Sequence, residues 1–217
     1  MKKLLTLTVG AVMLFSLSAC SRQQPSEQQS QSQSQSQQEE VKITRGVYNE
    51  DRTVFTNDST GMRIELPEGW YACTDDEVAA ALMPSVTGGE LAEWGEEEFK
   101  REKVIPDTII TDPDTNYNLV IQYENLAAEN AAHVTDEFYM ENIKSQLEKT
   151  GQDYTYEEMD DLVLSGKTYH ALKASTEVNG VVVEQIMRFS RHGDYMICVV
   201  YTSLGENSEQ QLKEFFK

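Results

Sequence analysis

Apolar and polar positions divide the chain into three regimes. Leu4 to Leu17 is apolar except at Thr6, Thr8, Gly10 and Ser16, residues 21–40 carry no large apolar residue, and from 41 onward short apolar runs alternate with turn residues as in a folded domain. In that last part, Gly46-Val47-Tyr48, Thr53–Thr56 and the alternating Met62–Leu66 predict short strands, with turns at Asn49-Glu50-Asp51 and Asp58–Gly61. A Pro67-Glu68-Gly69-Trp70 segment follows. Thr74 with Glu77 three residues on forms a capping box ahead of a helix over Val78–Met83, which Pro84 ends.

Residues 85–104, broken at Gly88-Gly89 and Gly95, predict an exposed helical excursion with little apolar face. Val104–Thr111 and Asn118–Tyr123 predict strands around an Asp112-Pro113-Asp114 turn. Thr135 caps a helix with acids Asp136 and Glu137 at its positive end and an expected stripe of Phe138, Met140, Ile143 and Leu147, closed by Gly151. Tyr154–Leu164, Tyr169–Val178, Val181–Ser190 and Tyr195–Ser203 read as a four-stranded meander turning at Ser165-Gly166-Lys167, Asn179-Gly180 and His192-Gly193-Asp194. A last helix from Asn207 or Ser208 presents Leu212, Phe215 and Phe216.

The first two regimes give an address. Lys2 and Lys3 precede an apolar run too short to span a bilayer comfortably, which is the form of an export signal. It ends in Leu17-Ser18-Ala19-Cys20, which resembles the lipobox of bacterial lipoproteins. The resemblance implies cleavage after residue 19, lipidation of Cys20 and attachment to the outer face of the cell membrane, the bilayer being a partner through that anchor. Two acyl chains hold stably where one holds marginally, at about 0.8 kcal/mol per buried methylene. Residues 20–40 are then the anchor and a tether, whose nine Gln and six Ser cannot offset the entropy of ordering. As a coil of some 20 residues it would reach roughly 25 Å.

One domain over 41–217 is expected, and it carries the whole net charge of −19, with 15 Lys and Arg against 34 Asp and Glu. Such a surface repels phosphate backbones, so nucleic acid is excluded as a partner, whereas a cationic protein or envelope partner fits. Trp70 and the acids Glu96, Glu97 and Glu98 are the candidate ligand or partner contacts, with Glu157–Asp161 a second acidic stretch.

Conventional chemistries find little support. His133, His170 and His192 lack metal-ligand spacing, and Cys73 and Cys198 are too far apart for a zinc knuckle but are a candidate disulfide in an exported chain. No metal or cofactor is expected. Ser165-Gly166-Lys167-Thr168 lacks the first Gly of a phosphate loop, since Asp161 stands there. Asp112–Asn118 opens like a calcium loop, but Tyr117 and Tyr123 occupy the positions of its Gly and bidentate Glu.

The order of these elements, a hairpin, Pro-Glu-Gly-Trp, helices, two strands about Asp-Pro-Asp-Thr-Asn-Tyr-Asn, a helix, a meander and a terminal helix, resembles the PsbP-like fold family. That resemblance implies an α+β domain in three layers, an antiparallel sheet of about six strands with helices on both faces. Family members include a photosystem subunit, a Ran-binding nuclear protein, secretion chaperones and bacterial lipoproteins, so no shared catalysis is implied. The sequence reading is therefore a membrane-anchored, non-catalytic binding or scaffold lipoprotein. The rival is an envelope-polymer hydrolase with a site the sequence does not reveal.

Overall fold

A computed structural model describes residues 41–164, 166–205 and 208–216. The expected export signal, Cys20, the Gln/Ser tract, Ser165 and Asn207 lie outside them.

The main sheet has seven antiparallel strands in the order β4-β5-β6-β10-β9-β8-β7, running from the edge strand Tyr71–Ala72 (β4) through Val104–Thr111 (β5), Asn118–Asn125 (β6), Tyr195–Leu204 (β10), Val181–His192 (β9) and Lys167–Val178 (β8) to Tyr154–Leu164 (β7). The six strands expected are all present, and the two-residue β4 is the seventh. A separate three-stranded sheet joins Val47–Tyr48 (β1), Val54–Asn57 (β2) and Met62–Glu65 (β3). Asn179 and Gly180 both take positive φ (53° and 81°), as a tight two-residue hairpin turn between right-twisted strands requires.

One face of the main sheet is covered by Asp75–Leu82 (α1), Gly88–Ala92 (α2) and Asp136–Glu148 (α4), whose Val78, Leu82, Leu91, Tyr139, Ile143 and Leu147 pack on Val120, Met187, Phe189 and Val200. The other face is covered by the small sheet through Phe55 and Ile64, by Phe99 of Glu96–Arg101 (α3) and by Leu212 and Phe215 of Ser208–Phe215 (α5), against Ile121, Tyr123, Ile197 and Tyr201. The architecture is α+β with three layers, and a sheet shares the second outer layer with helices. The capping boxes of Thr74–Glu77 and Thr87–Glu90 start α1 and α2, and Thr135 caps α4.

Two local expectations are corrected. The buried stripe of α4 is Tyr139, Ile143 and Leu147, each one turn apart, while Phe138 is 61% exposed. The 85–104 excursion is not merely surface: α2 and α3 each drive one apolar residue, Leu91 and Phe99, fully into the two cores, and Trp94 packs between them. One deep anchor per short helix is enough to seat it, and it leaves almost no periodic pattern to read.

Candidate functional site

The two sheets meet at a β-bulge. In the β5–β6 ladder Pro106 opposes Gln122 and Thr108 opposes Ile121, so Asp107 is an extra residue without a partner. Pro106 has no N–H for the ladder, which favours the irregularity there, and a bulge re-aims the side chain it carries. The Asp107 carboxylate turns into the seam between the sheets. Gly46 N–H donates to Oδ1 at 2.7 Å, while Asn57 Nδ2 at 3.0 Å and the Tyr123 hydroxyl donate to Oδ2. Burial pushes Asp107 above the usual carboxylate range and Tyr123 well above the usual phenol range; the three donors pull Asp107 back toward its charged form.

Arg45 runs beside this network. Its guanidinium donates to Asp75 Oδ1 at 2.5 Å, to the Asp107 carbonyl at 3.0 Å and to the Leu91 carbonyl at 3.2 Å, so one side chain ties the N-terminal arm to α1, α2 and β5. The arm must lie close: a Cβ at Gly46 would run into the Phe55 ring and fall 2.7 Å from the Thr56 carbonyl. Glycine is needed there for space.

Above the bulge opens a groove of about 580 Å³, walled by Arg45, Tyr48, Arg52, Cys73, Asp75 and Trp94 among others. That volume suits a small ligand or a few residues of peptide. The Tyr48 hydroxyl meets Thr108 Oγ1 at 2.6 Å, and burial pushes its pKa up to about 12. Arg52 lies 4.7 Å over the Tyr48 ring and donates to the Cys73 carbonyl at 3.1 Å, so it spans the gap between the sheets. Its own backbone is left-handed (φ 53°), held by an N–H donated to the Asn49 carbonyl.

Burial, with Glu77 nearby, pushes the Cys73 thiol up to about 11, so it stays protonated and is a poor nucleophile. The groove thus offers shape, aromatic surface and guanidinium groups; of its three carboxylates Asp75 is engaged by Arg45 and Asp107 by its three donors, while Glu50 is exposed at the rim. Among the described residues no cluster of three or more His, Cys, Asp or Glu side chains is arranged to hold a metal ion.

A second buried island lies under α4. Glu124, on the helix-covered face of β6, has both carboxyl oxygens enclosed without a hydrogen bond of good geometry. Burial pushes its pKa up to about 8; the Tyr139 hydroxyl eases its charge and nearby Glu129 opposes it. That hydroxyl also meets Cys198 Sγ at 2.9 Å.

The residues singled out by sequence are scattered. Trp70 is half-buried, edge-on to Phe215 at 4.9 Å and stacked beside Tyr201, so it packs α5 onto the sheet and is not part of the groove wall. Glu96 accepts from both Lys42 and Lys100, and Glu98 accepts from the Gly95 N–H at the start of α3; Glu97 is exposed. Two of the three acids therefore hold local structure.

The disulfide is overturned. Cys73 and Cys198 are both free, and Cys73 lies on the line of β4 while Cys198 is in β10, three strand spacings or about 14 Å away across β5 and β6. A bridge needs Cα atoms within about 7 Å. The Asp112 carboxylate takes the Asp114 N–H and the Thr115 hydroxyl, which makes that segment a side-chain-stabilised turn. Gly166 is a left-handed turn residue between β7 and β8, beside Ser165, which lies outside the described residues.

Sequence reading missed Arg45, Tyr48, Asn57 and Asp107. One signal was present: Pro106-Asp107 interrupts an otherwise apolar strand, and a proline followed by an acid inside such a run marks a bulge.

No family model matches the chain, and no curated protein matches it. The fold is similar to the solution structure of cyanobacterial PsbP (CyanoP) from Synechocystis sp. PCC 6803. The match has a TM-score of 0.42 at 11% identity and covers 78% of this chain and 84% of that one.

Proposed function

We propose that the chain is a lipid-anchored extracytoplasmic binding module, held to the outer face of the cell membrane through Cys20 and presenting the 41–217 domain on the Gln/Ser tether. The observation that carries this is the placement of Cys20 directly after Leu17-Ser18-Ala19, at the end of an apolar run and the start of a polar tract. Binding is favoured over turnover because the groove's buried polar groups are spent on one another and its remaining acid, Glu50, is exposed, with no second free acid or nucleophile among the described residues that line the groove. A hydrolase would need a nucleophile or a free acid and base there, and the Cys73 thiol is protonated while Asp75 and Asp107 are engaged. The groove keeps what a binder needs: an aromatic wall of Tyr48 and Trp94 with guanidinium groups beside it.

The test is Cys20→Ala, followed by fractionation of cells labelled with a fatty-acid probe. The parent is expected to carry label and partition with membranes, and the variant to lose both. An unlabelled parent, or equal membrane recovery of the two, overturns the anchor.

A further inference from the structure

β7 is the last strand of the seven-stranded sheet, so among the described residues one of its two edges has no neighbouring strand. It is 11 residues long, against two for β4 at the opposite edge. Its regular part is Tyr154–Met159, which pairs residue for residue with Thr176–Ala171 of β8 before a bulge at Asp160-Asp161 disturbs the ladder. Along that stretch every second residue turns its N–H and C=O outward. Such an edge is a template for another strand unless it is blocked.

The side chains along the edge set which strand it would take. Tyr154, Tyr156 and Glu158 face α4, where the Tyr156 hydroxyl donates to the Lys144 carbonyl and Lys144 Nζ meets Glu158 at 3.1 Å. Glu157 is on the other face, paired with Lys173 at 3.0 Å. In both pairs the lysine is the inner partner: Lys144 and Lys173 are 19% and 27% exposed, and Glu158 and Glu157 are 68% and 65% exposed. Each carboxylate is paired to a lysine through one oxygen yet stays about two-thirds exposed, so each face of the strand keeps solvent-accessible carboxylate surface. A second copy of β7 would add the same acids, Glu157, Glu158, Asp160 and Asp161, to one seam and is disfavoured by like-charge repulsion. A strand with alternating Lys or Arg presents its cations on one face, and whichever face that is carries one of the two carboxylates.

We propose that the open edge of β7, over Tyr154–Met159, is a docking site for an extended basic segment of a partner protein, added as an eighth strand. This deepens the binding reading by naming the partner's chemistry, and it stands apart from the anchor because it concerns the domain in solution.

The probe is a synthetic peptide, acetyl-Lys-Thr-Lys-Val-Lys-Thr-Lys-amide, offered to the purified Cys20→Ala chain. At saturation the outward amides of Tyr154–Met159 are expected to exchange with solvent about tenfold more slowly, as main-chain hydrogen bonds to an added strand require. A peptide of identical charge, N-methylated at alternate residues on its pairing edge, is expected to bind about tenfold more weakly. The Glu157→Gln/Glu158→Gln variant, checked for native circular dichroism, should weaken the unmodified peptide by a similar factor. Equal binding of the two peptides, unchanged exchange along β7, or indifference to the double substitution would each overturn the proposal and leave the acids as a guard against self-pairing.

Discussion

Glu124→Gln should make the domain more stable, and increasingly so as pH rises. The folded chain holds Glu124 with a pKa of about 8 because burial disfavours the carboxylate, against an ordinary value of 4.5. The raised value means that between those limits the folded state binds a proton the unfolded state has released. Stability from this group is therefore fully present below pH 4.5, falls at about 1.4 kcal/mol per pH unit from there to pH 8, and is flat above. By pH 7 the loss is about 3 kcal/mol, a large share of a domain's total.

Glutamine keeps the neutral acid's shape and removes the titration. The assay is urea unfolding of parent and variant at intervals from pH 5 to pH 8.5. Subtracting one curve from the other cancels the titration of the many other acids. The difference should be small near pH 5, reach about 3 kcal/mol in favour of the variant at pH 7, and stop growing near pH 8. An offset from burying the amide would shift the whole curve without changing its slope. A difference that does not depend on pH would refute the reasoning and mean that Glu124 ionises freely in the fold.

Arg45→Ala strands Asp75 and two carbonyls at once; because the side chain is 17% exposed, water compensates in part, and a loss of about 2 kcal/mol in urea unfolding is expected. Arg45→Lys, which cannot reach three acceptors, should recover only part of it. Thiol titration of the unfolded, unreduced Cys20→Ala chain should find two reactive groups, Cys73 and Cys198; none would mean that the strands between them are misplaced.

Much of the fold was legible because its cues are local. Asn179-Gly180 and the capping box at Thr74 act within four residues, and period-two alternation marks strands whatever they pair with. The assembly at the bulge was not legible. Arg45, Asn57, Asp107 and Tyr123 are separated by up to 78 positions, and nothing local to any one names the others. Trp70 and Glu96–Glu98 drew attention as conspicuous residue types, but conspicuous residues also serve as packing and caps, and here Trp70 packs on Phe215 and Glu98 caps α3. Phe138 and Tyr139 show the limit of periodicity: adjacent aromatics differ by 100° around a helix, and only the tertiary fold selects which one is buried.

The strand order carries a consequence for the time course of folding. β7 through β10 follow one another as hairpins, but β6 pairs with β10, so Asn118–Asn125 waits for Tyr195–Thr202 some seventy residues later. Until β10 arrives, Leu119, Ile121 and Tyr123 lack the strand that completes their side of the sheet, and both cores stay open at the seam. Long-range pairing of this kind slows folding because the intervening loop must close before the contact rewards it. A chain emerging from its N-terminus therefore cannot complete the seven-stranded sheet until Tyr195–Leu204 is free.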